Sequence, residues 1–456
     1  MKKTFPFLMA TLMLLPALDS ALAQNGSPLT LKECIQLALQ NNSELRNAER
    51  RMRISGTQVA SSRAGILPSL NFSLSASRSE QGDRTVEDDV PVGTDPVTGD
   101  VIYQRLTITQ PGYGSNFHST RLDFNQPLFD FGANWNRIRQ AGAAEASSEG
   151  TYAAAKQSTI LLVYQRYLGY LKELQLLAVN EEAAKSSGEQ LKRTESMYEI
   201  GSVAQGDVYR ARTTHGNDRI NLIRQQNLVT ASRDELNVAM GREAGAELSI
   251  VDIEEVPPFK EYTLDEVLQV AVEQNPELQS FRHEMRRAEF GKGIARTTFL
   301  PSFGINASYS RSHNEPRFVY GDLSKNWVGS IGLGVRWNLF NGFSDKAEIE
   351  RETLNYRIAE ENHVDRLRNL RLQAERALLE LQAWKEVTAI NSDNLVSAQE
   401  DLRLAQERYR VGAGTLLDII EAQANLTSAR SLFIRAKYDS MIAYAQLHST
   451  MGVLQE

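Results

Sequence analysis

The sequence predicts an α+β chain that is internally duplicated, crosses a membrane by β-strands and carries very long helices. Three observations predict this. The chain resembles itself at two fixed offsets, several stretches alternate apolar and polar residues, and an apolar seam repeats at coiled-coil spacing.

The duplication comes first. Leu29-Thr30-Leu31-Lys32-Glu33 matches Tyr262-Thr263-Leu264-Asp265-Glu266, and Leu67-Pro68-Ser69-Leu70 matches Leu300-Pro301-Ser302-Phe303. These pairs lie 233 apart (263 minus 30, 301 minus 68). Further on, Tyr198, Gly201, Asp207 and Met240-Gly241 match Tyr409, Gly412, Asp418 and Met451-Gly452, now 211 apart (409 minus 198). The offset drops by 22 (233 minus 211), so the first copy holds that many extra residues, within Glu80 to Gly114. A long-period repeat of this kind marks a duplicated architecture. The expected organisation is a first repeat at 24–241, a linker at 242–261 and a second repeat at 262–456.

The strands follow. Leu70, Phe72, Leu74 and Ala76 alternate with Asn71, Ser73, Ser75 and Ser77. Phe303, Ile305, Ala307 and Tyr309 alternate with Gly304, Asn306, Ser308 and Ser310. Ile331, Leu333 and Val335 alternate with Gly332, Gly334 and Arg336 between Trp327 and Trp337. Ten-residue alternation with small neutral polar faces is the pattern of a strand between lipid and water. Trp327 and Trp337 stand where aromatic girdles meet the two membrane interfaces. The stretch Asn116 to Phe124 is weaker, with Phe117, Leu122 and Phe124 on mixed faces, and is a strand mainly by the repeat. The expectation is two hairpins, 66–129 and 299–340, with four strands in all. The acidic stretch Glu80 to Asp100 carries glycines and prolines and reads as an extended loop at the outer end. It lacks the ligand spacing of a calcium loop.

The helices are long. Leu370, Ala374, Ala377, Leu381, Trp384, Thr388, Asn391, Leu395, Ala398, Leu402, Ala405 and Tyr409 alternate spacings of three and four, a heptad seam. A helix from near Phe343 to Arg410 spans ~100 Å, with its counterpart from Ala133 to Glu199. Two shorter helices per copy, roughly Thr30 to Ala64 and Gln205 to Met240 in the first, sum to the same length and are expected to stack beside it.

Composition narrows the function. The net charge of -7 excludes the basic footprint of a nucleic-acid binder. Lys2, Lys3, the apolar run Phe5 to Leu18 and Ala21-Leu22-Ala23 read as a signal peptide over residues 1–23. The single cysteine, Cys34, allows no internal disulfide and sits in an apolar helical pattern, as a small core residue would. The remaining chain has no apolar run long enough for a membrane helix, so any crossing is by a closed β-barrel. No phosphate loop, zinc-helix motif or nucleophile elbow is present, and the histidines form no ligand spacing, so neither catalysis nor a cofactor or metal is expected.

Four strands cannot close a barrel, and an open edge cannot face lipid. Copies must therefore associate, two giving about 8 strands and three about 12.

Several motifs resemble the TolC-type outer-membrane efflux protein family. These are the paired Leu-Pro-Ser strand entries, Gln126-Pro127-Leu128-Phe129-Asp130, Asn338-Leu339-Phe340-Asn341-Gly342, and Tyr409-Arg410-Val411-Gly412-Ala413-Gly414-Thr415-Leu416-Leu417-Asp418 with Glu421-Ala422-Gln423. The resemblance covers essentially the whole mature chain. It implies a homotrimer with a 12-stranded barrel in the outer membrane of a Gram-negative bacterium, surrounded by lipid and continued by a periplasmic helical tunnel. It implies a periplasmic adaptor (membrane fusion) protein and an inner-membrane pump as partners, and a passive exit duct for small toxic compounds as the function. A polypeptide-secretion duct uses the same scaffold, and a non-conducting coiled-coil linker of the envelope is the alternative of another class.

The glycine turns at Gly201 and Gly412 end the long helices, ~100 Å from the strands. In the family such tips carry the aperture and dock the adaptor. Residue by residue, docking falls on Gly201, Ser202, Val411, Gly412, Gly414 and Thr415, and gating on Asp418, Glu421, Tyr409, Asp207 and Tyr198. Asp418 and Glu421 share a helix face, and symmetry would make them an acidic, cation-preferring ring. Some members place a basic residue where Gly414 stands, so an ion-pair lock through that position is not expected.

Overall fold

A computed structural model describes residues 28–253 and 259–455. The signal-peptide reading and the middle of the 242–261 linker lie outside these.

The first repeat runs α1 (Leu31–Asn41), α2 (Ser43–Arg63), β1 (Ser69–Gln81), β2 (Arg84–Thr94), β3 (Val101–Gln110), β4 (Tyr113–Phe129), α3 (Ala133–Glu199) and α4 (Gln205–Ala239). The second runs α5 (Leu264–Gln274), α6 (Pro276–Arg296), β5 (Ser302–His313), α7 (Pro316–Tyr320), β6 (Val328–Arg336), α8 (Ser344–Arg410) and α9 (Leu416–Met451). The element boundaries repeat at the sequence offsets. Leu31 and Leu264 open α1 and α5, 233 apart, and Ala133 and Ser344 open α3 and α8, 211 apart.

Helices α3 and α8 each hold 67 residues, ~100 Å of continuous helix. The expected Thr30 to Ala64 helix is two helices. Asn42 breaks it because its side chain accepts from the N–H groups of Glu44 and Leu45 at 2.9 and 3.1 Å, starting α2 afresh. Asn275, followed by Pro276 at the first helical position, does the same for α6.

Four strands form one antiparallel sheet in the order β1-β4-β5-β6, so β4 of one repeat joins β5 of the other. Register assigns its faces. Leu74 stands opposite Thr120, Phe72 opposite Leu122, Phe124 opposite Ala307, and Ile331 opposite Ala307 on the other side. Phe72, Ile331 and Leu333 on this apolar face are 68%, 82% and 79% exposed. The other face is polar, with Ser75 and Ser119 hydrogen-bonded at 2.8 Å and Ser308 and Ser330 at 2.9 Å. A sheet exposed to solvent on an apolar face has lipid as its solvent there. Trp327 stacks on Tyr309 at the outer end of β6, and Trp337 donates to the Phe299 carbonyl at 3.0 Å at the inner end. The ten residue steps from one to the other rise about 33 Å along the strand, or about 25 Å at the tilt of a membrane barrel, the height of its apolar band.

The expectation of an irregular loop over Glu80 to Asp100 is corrected. Residues 84–110 form a second two-stranded sheet, β2-β3. Val86, Val101, Ile102 and Ile108 supply β-branched residues, and the glycines and prolines sit at a bulge and a turn. Asp95 makes that turn, its side chain accepting from the Val97 and Thr98 N–H groups. Register passes unbroken from Gln81 opposite Tyr113 to Arg84 opposite Gln110, so β2-β3 is the upward arm of the β1-β4 hairpin. Asp89 pairs with Arg105 and Asp83 accepts from Gly112 N–H, which uses two of the acids structurally.

The core lies midway along the helices. α1, α3, α4 and α9 bury Cys34, Ile35, Val163, Tyr167, Leu236 and Met240. Cys34 is fully buried, and burial pushes its thiol up to about 12, as suits an inert core residue. α5, α8 and α9 bury Val267, Leu381 and Leu447 in an adjoining cluster. The chain between the repeats is pinned here. Leu29 bridges Ile250, Tyr167 donates to the Val251 carbonyl at 2.6 Å, and Tyr438 and Gln175 both bind Asp252. Burial raises the Tyr167 and Tyr438 phenols, keeping both neutral donors.

Candidate functional site

The tips lie at the helix ends farthest from the sheet. Each long helix ends the same way. Gly201 takes φ +77° and Gly412 φ +76°, the left-handed conformation that a β-carbon disfavours. Ser202 N–H returns to Met197 carbonyl at 2.8 Å, and Ala413 N–H to Arg408 carbonyl at 2.9 Å, closing the last turns. Ile200 and Val411 stand 80% and 71% exposed beside these glycines. Gly414 packs tightly, since an added Cβ would meet Arg408 Cβ at 3.1 Å and Tyr409 N at 3.2 Å.

The two tips touch. Tyr409 donates to Met197 Sδ at 3.5 Å, tying the end of α8 to the end of α3. Tyr198, its counterpart, is more exposed, and no hydrogen bond of its hydroxyl is found among the described residues. Asp207, in the first turn of α4, approaches Arg210 at 3.8 Å.

Asp418 has a structural task that the sequence reading missed. Thr415 caps α9 and accepts from Asp418 N–H at 3.3 Å, while Asp418 Oδ2 accepts from Thr415 N–H at 2.8 Å. This is a reciprocal capping box. The Thr415 N–H holds the Asp418 carboxyl below its ordinary value, so it stays ionised. The signal was legible as Thr-x-x-acid, and it recurs at Thr30-Glu33 and Thr263-Glu266. Glu421, one turn on, is exposed. Both acids thus lie at the surface of α9, Asp418 within the capping box and Glu421 outside it.

Above the tips, α3, α4, α8 and α9 line a polar cleft of about 480 Å³. Arg193, Asp218, Gln406, Gln423 and Ser428 line it. Of these only Gln423 lies in a motif that sequence had singled out. Among the described residues no group of side chains could hold a metal ion, and no helix is long and apolar enough to cross a membrane.

A lipid-height sheet with one apolar face, set on paired helices of ~100 Å, defines the protomer of an outer-membrane channel with a helical tunnel. The chain belongs to the outer membrane efflux protein family, whose model matches residues 34–242 and 267–453. It is 26% identical over 454 residues to the alkaline protease secretion protein AprF of Pseudomonas aeruginosa, covering 95% of this chain and 87% of that one. It is 23% identical over 425 residues to the toluene efflux pump outer membrane protein TtgC of Pseudomonas putida, covering 92% and 82%. The outer membrane protein TolC of Vibrio cholerae is 22% identical over 466 residues, covering 100% and 97%. Among solved structures, the Campylobacter jejuni CmeC outer membrane channel matches with TM-score 0.78 at 19% identity, over 93% of this chain and 86% of that one. CusC matches with TM-score 0.77 at 19% identity, over 95% of each chain. The protein is thus placed in the outer membrane of a Gram-negative bacterium, with a large periplasmic part.

Proposed function

We propose that this chain is one third of a passive exit duct that releases small toxic compounds delivered by an inner-membrane pump through a periplasmic adaptor. The observation that carries the duct reading is the sheet. Its outer strands β1 and β6 have open edges, its apolar face needs lipid and its polar face needs water. Closure with other copies meets all three needs, and three copies give a barrel of about 12 strands. Small-compound cargo agrees with the kinship to a toluene efflux pump protein. Polypeptide cargo is the second reading, favoured by the likeness to AprF along nearly the whole chain.

The gate falls at the tips. Asp418, Glu421 and Asp207 give each copy three carboxylates near the mouth, and Tyr409 links the two helix pairs across Met197. The exposed turns at Gly201-Ser202 and Val411-Gly412-Ala413-Gly414-Thr415 dock the adaptor. Conductance of the purified mature protein in a planar bilayer tests the duct. Small cation-preferring openings are expected, and Asp418→Asn with Glu421→Gln reduces the cation preference. Tyr409→Phe removes the Met197 contact and raises the open time. Openings with no ion preference, unchanged in the double variant, would sink the acidic gate. A deletion strain separates the cargoes, since drug hypersensitivity with normal secretion supports efflux and loss of a secreted polypeptide alone supports secretion.

A further inference from the structure

At the junction of tunnel and barrel, β4 and α3 of the first repeat and α6, β5 and β6 of the second together line a recess of about 850 Å³. That is the size of a site for a drug-sized molecule. Its charge is one-sided. Arg336 and Arg137 line it, and Asp130 is the sole carboxylate among the lining residues. Asp130 is already engaged, its Oδ2 accepting from Asn134 N–H at 2.8 Å at the start of α3. Arg137 Nη1 donates to Asn134 Oδ1 at 2.6 Å, and no bond or ion pair of the Arg336 guanidinium is found among the described residues.

The wall between is shaped to admit a body. Arg336 stands opposite Ser302, Gly334 opposite Gly304 and Gly332 opposite Asn306, all on the polar face of the sheet. Glycine at 304 and 334 leaves that wall bare between Asn306 and Arg336. Asn125 and Asn306 offer neutral hydrogen-bonding groups, while Phe129, Ile294 and Leu300 supply an apolar side. A recess lined by guanidinium donors and by aromatic and aliphatic carbon is complementary to an anion with an apolar body.

We propose that this recess is a binding site in the duct for amphipathic organic anions, a waypoint between tunnel and barrel. It rests on the duct reading for its place in the lumen. Arg336 binds the carboxylate or sulfonate, Arg137 adds the second cation, and the apolar side takes the ring system. The acids at the tips and the arginines here then act at opposite ends of the tunnel, the mouth preferring cations and the neck retaining anions.

The test uses naphthalene-2-sulfonate, with a naphthyl trimethylammonium cation of similar size as control. In planar bilayers the sulfonate is expected to block single-channel current transiently and the cation not to block at this site. Arg336→Gln shortens the blocked dwell about tenfold, as loss of a charge-assisted bond would. Arg336→Lys restores part of it, and Gly334→Val abolishes it with no change of charge. A conducting wild type that the sulfonate leaves unblocked overturns the proposal and leaves the duct standing. Calorimetric titration of the detergent-solubilised protein with the same sulfonate reads the site without conduction. A silent bilayer with Arg336-dependent binding fails the duct and keeps the site. Absent binding, or binding equal in wild type and Arg336→Gln, overturns the site.

Discussion

At the tip of the first repeat, Met197 and Tyr198 lead into Gly201 at φ +77°; at the tip of the second, Arg408 and Tyr409 lead into Gly412 at φ +76°. The carbonyls that close the two turns occupy matching positions. The side chains do not match. Thr415 caps α9 with a reciprocal box, whereas its counterpart Ala204 gives α4 no side-chain cap. Glu421 stands where the first repeat has Arg210. The outer rims diverge further. The first repeat raises the β2-β3 arm, while the second lays α7 against its own sheet, where Arg311 Nη2 donates to the Phe318 and Asp322 carbonyls at 2.9 and 2.6 Å. Duplication has kept the backbone that builds a tunnel wall and has let the two ends specialise. A gate or docking surface built from both repeats is therefore pseudo-symmetric in path and asymmetric in chemistry.

The sharpest test of shared architecture is in the core. Leu236 and Leu447 are counterparts, 211 apart, and both are fully buried. Each truncation to alanine is expected to cost about 2–5 kcal/mol, the range for a buried leucine. Thermal unfolding of the purified protein should show Leu236→Ala and Leu447→Ala lowered by similar amounts. If one falls and the other does not, the two core clusters are not equivalent supports.

The tips give a smaller and more local effect. Gly201→Ala and Gly412→Ala place a β-carbon in left-handed backbone with nothing within 4 Å to obstruct it. The cost is then backbone strain alone, about 1–2 kcal/mol at each turn. Hydrogen exchange at the amides of 197–202 and 408–413 should speed up comparably in the two variants. A large difference would mean that the turns, alike in path, differ in what leans on them.

Helix and strand identity were legible because each rests on periodicity. The seam from Leu370 to Tyr409 gave the α8 register, and Leu370, Ala374, Ala377, Leu381 and Ala405 are buried as it requires. Trp384 to Leu402 are only half-buried, so the seam marks a face of α8 and not a closed core. The β2-β3 arm was illegible because its prolines and glycines outweighed a weak alternation that acidic residues interrupt. The break at Asn42 lay hidden because an asparagine cap shows only against a helix already known to end there. At the site, the glycine turns were legible from the repeat. The cleft of Arg193 and Asp218 was not, because it depends on which helix of the other repeat lies beside α3 and α4.

The smallest effect separates the two tips most cleanly. Thr415→Ala removes the cap of α9 and should cost about 1 kcal/mol in its first turn. Ala204→Thr places a threonine three residues before Asp207 and so offers α4 the same Thr-x-x-Asp box, with a gain of about 0.5 kcal/mol or more. The acid limb identifies the mechanism. In the folded protein the Asp418 carboxyl titrates below its ordinary value of 3.8 because it accepts from the Thr415 N–H. Its stabilising contribution is thus fully present above about pH 4 and is lost as pH falls through the lower folded value. Exchange protection of the first turn of α9, corrected for intrinsic rates, should hold steady from neutrality to about pH 4 and weaken below. Asp418→Asn should abolish that dependence, Thr415→Ala, which keeps the backbone N–H at 415, should retain most of it, and Ala204→Thr should introduce it in α4. If α9 keeps its acid limb in Asp418→Asn, the limb belongs to another group, and the capping box that distinguishes the second repeat from the first does not set the acid stability of its tip.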